Sequence, residues 1–547
     1  MIKPRIRVPA GRAAGGRGGA LAALGGAQPY DAADTMSAEL AAWRPYREQP
    51  DSELGWARGE VTARARDLVR NNGHLAGHAQ KEVDAVLGAD FRPSAKPGWR
   101  ALGITREQAR DIAGQMETAW DAWASDPRRL ADVSRSQDWG GMAGLAYRSY
   151  LIDGDALGVL HFEDAPHPGW GWSTRLRIAD PDLLSNPHDR MDTLTMRGGV
   201  ELDAHGAAVA YHFRREHPAA IWGIGHEWVR VERETPWGRP VVVHHYDKQR
   251  DGQTRGVSRL ASIAESAKMG DKHQRVALQQ SVLSAILGLF VSSQMDGESV
   301  AELLDDGKFA QGQGKYVDFS AARMGIHSGL GLTFGGVRLP VLPVGDTIQS
   351  VQAAQPSAAY EAFEVSVLRR IAAGLGTTYE QLAADWSKTN YSSARAALNE
   401  IWRGLTARRR QFATAFCDPV RMAVMEEAVD AGRVILPRGA PDLMEAPAHW
   451  LRAKWIGPGR GYVDPVKEAQ AAALRAQLGL STMEDEAAEL SGADYEENID
   501  QIAREIEQMP PGVLHPAQEK FAALLGTADQ QGAPAGAGPG QDGGIPA

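Results

Sequence analysis

A single cysteine, Cys417, is all that the 547 residues contain. No disulfide can therefore close within the chain, which fits a reducing compartment, and sites built from several cysteines around zinc or iron–sulfur clusters are excluded. Cys417 lies in 412-FATAFCDPV-420 and reads as a small buried hydrophobe rather than a reactive thiol. Long hydrophobic runs are also missing. The best, 282-VLSAILGLFV-291, reaches about half of the roughly 20 residues a membrane-crossing helix needs. Positive charge is not in excess either. The formal net charge of −10 argues against tight nucleic-acid binding, which draws on clustered Lys and Arg, but leaves loose contact open.

The familiar catalytic motifs are absent as well. No G-x-x-x-x-G-K-[ST] occurs, which removes a Walker-type nucleotide motor. The stretch 329-GLGLTFGG-336 is followed by strand-like residues and prolines rather than by a helix, so it is not a dinucleotide fingerprint. 256-GVSRL-260 lacks the closing glycine of a nucleophile elbow. His74 and His78 share one helix face in 74-HLAGH-78, but Leu75 stands where a metalloprotease needs its Glu. They read as two partly exposed helix histidines. A metal-dependent hydrolase using them is the enzymatic alternative, and no metal or cofactor is expected. His244 and His245, adjacent in the strand-like 241-VVVHHY-246, point to opposite sides and cannot chelate one ion together.

What is present is a long chain of mixed pattern. At roughly 100–200 residues per domain, two to four modules are expected. Helical periodicity covers 60–88, 105–124 and 138–155; in the second, Ala109, Ile112, Met116, Ala119, Trp120 and Trp123 form an apolar stripe. From 156 to 247 the pattern turns to antiparallel strands, with turns at His205-Gly206 and at Pro236-Trp237-Gly238. A long helical pattern fills 256–293 and is apolar all round after Val276. Glycines and prolines break up 294–354; helices return at 356–375 and 392–432, with an interruption expected at Pro419 and an N-cap at Ser392 or Ser393. Three short helices follow, the second with a Ser481–Glu484 capping box. The fold class is α+β. Arg408, Arg409 and Arg410, with Arg403 and Arg395, read as a solvated or intersubunit face in preference to a phosphate contact. Of the fifteen tryptophans, Trp99, Trp170, Trp172, Trp237 and Trp386 lie in turn-like stretches suited to interfaces as well as to core packing.

Four segments carry a resemblance: 246-YDKQRDGQTRGVSRLA-261, 366-SVLRRIAAGLGTTYEQLAADWSKTNYSSARAAL-398, 455-WIGPGRGYVDPVKEAQA-471 and, more weakly, 491-SGADYEENIDQ-501. In this order they resemble the portal proteins of tailed bacteriophages, lambda-like family, over roughly residues 30–510. The resemblance implies a portal-type fold: a wing of helices and antiparallel β, long stem helices, a clip and a helical crown. Its expected boundaries here are a disordered arm at 1–29, wing at 30–255, stem helix at 256–291, clip at 292–355, second stem helix at 356–376 and candidate tunnel loop at 377–391. A helical connection at 392–455, crown at 456–525 and disordered tail at 526–547 complete it; the arm and the tail are expected to be disordered from composition, the first broken by glycines and the second rich in Gly, Pro, Ala and Gln. The resemblance also implies a non-enzymatic ring, typically of twelve subunits, at one capsid vertex of the virion, assembled in the host bacterial cytoplasm. Its implied partners are the terminase large subunit, major capsid and scaffold proteins, head-completion or tail connector proteins, and double-stranded DNA contacted without sequence specificity. Another head or tail adaptor of the virion is the alternative.

Under this resemblance Asp385, Trp386, Ser387, Lys388, Thr389 and Asn390 would face the DNA channel. One lysine offset by Asp385 suits contact without grip, because each added phosphate contact raises affinity. The same segment also reads as a surface turn before a helix N-cap. Leu283, Ile286, Leu287 and Phe290, at the all-round apolar end of the long helix, are the candidate subunit interface.

Overall fold

The structure, a computed structural model, describes residues 42–163, 171–219, 227–287, 358–461 and 464–510, two short strands at 332–334 and 337–339, and a few isolated positions. Helices α1 (Pro50–Asn71) and α2 (Gly73–Val86) occupy the region expected to hold one helix. Asn72 divides them: its backbone is extended, its side chain accepts the N–H of Leu75 at 3.0 Å, and its amide donates to Asp271 at 2.7 Å. A side chain that caps the next helix competes with continuing the first. Strand β1 (Arg92–Ala95) and the short α3 (Trp99–Leu102) lead to α4 (Arg106–Ala124), opened by a capping box of Thr105 and Gln108. Every residue of the stripe expected on α4 is buried.

Helix α5 (Trp139–Asp153) is capped by Asp138 and runs through Gly154 (φ +92°) into β2 (Asp155–Phe162). The β region continues as β3 (Thr174–Ala179), β4 (Met196–Arg197), β5 (Val200–Leu202), β6 (Ala208–Arg214), β7 (Trp228–Glu232) and β8 (Val242–Tyr246). All pairings are antiparallel, in sheets ordered β3-β2-β8 and β4-β5-β6-β7. His244 and His245 face opposite sides as alternation demands: one reaches Asp155, the other lies on the Tyr150 ring.

Helix α6 (Ala264–Leu287) begins eight residues later than the sequence pattern suggests. The reason is Gly256, which packs so tightly on Gly154 that a Cβ there would lie 1.9 Å from the Gly154 carbonyl oxygen. Residues 256–258 form no regular structure, and a 3-10 turn at Ala261–Ile263 precedes the helix. Strands β9 (Leu332–Phe334) and β10 (Val337–Leu339) pair with each other; the rest of the expected clip lies outside the described residues. Helices α7 (Ala358–Leu375), α8 (Tyr379–Ala383) and α9 (Tyr391–Phe412) follow, then a π-turn at Ala413–Cys417 and α10 (Asp418–Asp430). No break occurs at Pro419. The Asp418 N–H reaches back to the Ala413 carbonyl, and this wider turn absorbs the proline that would clash in regular α geometry. After the short α11 (Pro447–Trp450), β11 (Ala453–Ile456) pairs with β1, and α12 (Pro465–Gln477), α13 (Met483–Leu490) and α14 (Tyr495–Gln508) close the described chain. Thr482, not Ser481, caps α13 by accepting the Asp485 N–H at 3.0 Å.

The largest core joins α2, α4, α5, the π-turn and α10. At its centre Trp120 lies 5.1 Å from Trp123, 5.0 Å from Trp139 and 5.5 Å from Trp455, ring centre to ring centre. Three of these indoles donate: Trp123 to Thr174 O, Trp139 to Phe91 O and Trp455 to Asp418. A second core ties α1, α2, α6, α7 and α8 together, and a third lies between the two larger sheets. Cys417 is fully buried, and burial raises its thiol pKa well above the usual range.

Candidate functional site

The segment between α7 and α9 is a chain of caps rather than an open loop. Gly376 (φ +69°) ends α7, and Thr378 caps the single-turn α8. Ala384 (φ +54°) stops α8 in the left-handed region. Asp385 then accepts the Ser387 N–H at 3.0 Å, and the Thr389 N–H bonds the Trp386 carbonyl at 3.2 Å. Asn390, not Ser392 or Ser393, caps α9: its side-chain oxygen accepts the Ser393 N–H at 2.8 Å and the Ser392 hydroxyl at 3.0 Å. Its short amide reaches the third residue of the helix from a β-region backbone, which is what an N-cap requires.

These turns place Trp386, Ser387, Lys388 and Asn390 on an exposed edge, with Asp385 and Thr389 half-buried beneath. Lys388 is held not by Asp385 but by Glu361 of α7, at 2.7 Å. Both side chains are largely exposed, and the carboxylate raises the ammonium pKa. Bonds from the Ser387 side chain and backbone lower the Asp385 pKa. On the inner side Leu382 is buried, and Lys81 donates to the Gln381 carbonyl at 3.0 Å. Trp386 borders a cavity of about 300 Å³ with Ile401, Leu405 and Arg408.

The arginines of α9 divide by face. Arg408 meets buried Glu82 at 2.9 Å, and Arg409 donates to the carbonyls of Val86, Ala85 and Pro458. Neither is the solvated or intersubunit face expected of them; Arg403 and Arg410 remain exposed. Burial alone would raise the Glu82 pKa, but His78, Arg408 and Arg259 overcome it and hold it at about 2. His78 is therefore not a partly exposed helix histidine: it is buried, 3.2 Å from Glu82. Among the described residues the group close enough to hold a metal is Asp180, Asp182 and His217, and Arg66 already pairs with both aspartates.

A second buried centre anchors the start of the long helix. Fully buried Asp155 accepts from Arg255 (2.8 Å), Arg58 (3.0 Å), the Gly256 N–H (2.6 Å) and His244 (3.0 Å). Burial would raise its pKa, but Arg255, His244 and Arg58 bring it well below the ordinary carboxylate value. Arg255 also donates to the carbonyls of Leu184, Gly198 and Pro181, so it uses its guanidinium on both sheets. Sequence reasoning missed Asp155 and Glu82. The only signal for the first was that Arg255-Gly256 fell inside a segment of resemblance.

The candidate interface residues Leu283, Ile286 and Leu287 lie in the last turns of α6, while Phe290 lies outside the described residues. Of the turn-borne tryptophans, Trp172 is buried under Arg433 and Trp99 lies between Arg100 and Arg106. Trp237 is exposed but donates to Glu426; Trp170 lies outside the described residues.

The family model described as phage portal protein, lambda family, matches residues 37–409. The chain is 34% identical over 490 residues to the portal protein of Escherichia phage N15, covering 88% of this chain and 90% of that one. It is 33% identical over 490 residues to portal protein B of Escherichia phage lambda, covering 88% and 89%. A chain from the neck of an empty gene transfer agent particle aligns over 81% of this chain and 94% of its own, at 14% identity. The TM-score of this alignment is 0.34.

Proposed function

The chain belongs to the lambda family of phage portal proteins, and from that premise we propose that its copies close into a ring, typically of twelve, at one capsid vertex. DNA enters and leaves through the axial channel, and the ring carries no enzymatic activity. The wing is the α1–β8 region, the stem is α6 and α7, the clip lies between them, and the crown is α12–α14. The terminase large subunit and the head-completion or connector proteins dock on the assembled ring; capsid and scaffold proteins surround it.

One observation carries the channel assignment of residues 385–390. The edge presents a single lysine per subunit, already 2.7 Å from Glu361, among short polar groups. A cation that keeps its own carboxylate partner can exchange between it and a passing phosphate, so contact does not become a clamp. The stem has a matching logic. Met269 and Val276, seven residues apart, share one face of α6 and are 63% and 51% exposed. Leu278 and Val282 are 62% and 53% exposed and lie on the opposite face, at about 100° per residue. Between the two faces α7 covers Gly270 and His273. Two different apolar flanks suit a closed ring, in which each subunit meets its neighbour through unlike surfaces.

Negative-stain electron microscopy with native mass spectrometry tests the ring; a compact dimer would overturn it. Lys388→Glu, which sets a second carboxylate beside Glu361, is expected to leave rings intact and lower packaged DNA. Unchanged packaging would remove the charge from the mechanism. Leu287→Asp is expected to block ring closure while the wing stays folded, and intact rings from it would sink that interface.

A further inference from the structure

The C-terminal helices are attached to the rest of the chain in an unusual way. Helix α14 has no buried residue, α13 buries only Glu486, and α12 only Glu468 and Ala472. Residues 483–508 contain ten carboxylates and one arginine. Facing them is a bed of cations on β1 and the residue after it, α4 and β11. Arg92 meets Glu497 at 2.7 Å, Lys96 meets Glu484 at 2.9 Å, Arg110 meets Glu496 at 3.7 Å and Lys454 meets Asp485 at 2.6 Å. All four pairs are open to solvent to some degree. At the other end, glycines permit backbone-to-backbone contact: a Cβ on Gly459 would lie 2.4 Å from the Leu490 carbonyl oxygen, and one on Gly492 2.8 Å from that of Gly457. The Arg460 N–H donates to the Glu489 carbonyl at 2.8 Å.

We propose that α13 and α14 form an electrostatically latched flap. The glycine contact at 457–459 and 492 is the pivot, and the ion pairs of Arg92, Lys96, Arg110 and Lys454 are the latch. Solvent-exposed pairs are weak singly and are screened by salt, whereas an apolar interface is not. The flap therefore opens under conditions that leave the wing core intact. Glu117 of α4 makes the latch sensitive to pH as well. Its carboxylate accepts the Ala95 N–H at 2.6 Å and faces Lys96 just after β1, Asp494 and Glu496 at the start of α14, and Arg421 of α10. Burial, with Asp494 and Glu496 adding to it, lifts its pKa to about 7. Above that pH the flap rests on a carboxylate of its own sign. Asp121, one turn on, faces Arg92 against Glu497 and Asp90, and burial raises its pKa too.

Hydrogen–deuterium exchange on the full chain tests this, and it does not depend on ring formation. Moving from about 50 mM to about 1 M NaCl should speed exchange in α13 and α14 on the order of tenfold, with α4 and α5 unchanged. Equal exchange at both salts, or parallel acceleration everywhere, would overturn the latch. Arg92→Glu should open the flap at low salt and Glu497→Arg in the same chain should close it again; absence of rescue also counts against the proposal. If Arg92→Glu disturbs β1, the milder pair Lys96→Gln with Arg110→Gln should still produce low-salt opening. Glu117→Gln should abolish the extra opening between pH 6 and pH 8, and persistence of that opening would remove Glu117 from the device.

Discussion

The wing core and the C-terminal helices solve the same problem with opposite means. Around Trp120 four indoles and Phe91 exclude water, and three of the indole N–H groups carried inside, those of Trp123, Trp139 and Trp455, are bonded within the protein. Around α14 the apolar residues stay partly in water and the fastening is ionic. The first arrangement resists salt and pH and tolerates little change of shape. The second can be reset by solvent conditions without unfolding anything. A ring of the kind proposed above can use both, with stability drawn from one and adjustability from the other.

Substitutions that break this contrast should rank accordingly. The largest effect is expected at Asp155→Ala, which strands Arg255 and Arg58 without their carboxylate: breaking a buried ion pair costs about 3–5 kcal/mol, read by denaturant unfolding. Trp120→Ala should cost about as much, roughly 3–5 kcal/mol, through the cavity it leaves, and should lower the melting temperature of the whole chain. Glu117→Gln should go the other way. A carboxylate whose folded pKa is raised destabilises the fold fully above about 7 and not at all below its unfolded value of 4.5. The amide keeps the Ala95 bond, so a gain of roughly 1–2 kcal/mol is expected at pH 8 and none at pH 4. Glu82 has the reverse sign: its contribution is present above pH 4.5 and is lost as pH falls toward about 2. The smallest effect belongs to Ile499→Ala on α14, already 41% exposed, expected to change stability by less than about 0.5 kcal/mol.

The sequence spoke most clearly where structure is periodic and local. The stripe on α4, the opposed His244 and His245, and the turns at 205–206 and 236–238 follow from spacing alone, whereas the passage of the chain from one sheet to the other at the second turn does not. Caps were legible only as a neighbourhood. Several Ser, Thr and Asn residues stood together, and the choice of Asn390 over Ser392 and of Thr482 over Ser481 depends on which backbone turns first. The split at Asn72 was hidden for the same reason. Nothing local announces Asp155, whose partners Arg255 and Arg58 lie about a hundred residues away, and for Glu82 only His78 is local while Arg408 lies more than three hundred residues on. The same holds for Lys388, whose carboxylate comes from Glu361 of α7 and not from the nearby Asp385.

The π-turn at Ala413–Cys417 sets a phase between two helices that read as one. An extra residue in a helical turn rotates everything beyond it by about 100°. Before the turn, that phase aims Arg408 and Arg409 at α2, and Arg409 also at the Pro458 carbonyl beyond β11; after it, Val420 and Val424 join the tryptophan core. Deleting one residue between 413 and 417 would improve the helix as a helix and misalign one half against the other. Length change is therefore forbidden at a place where composition, two alanines with Thr414, Phe416 and Cys417, gives no sign of it. The chain keeps time here by count, not by chemistry.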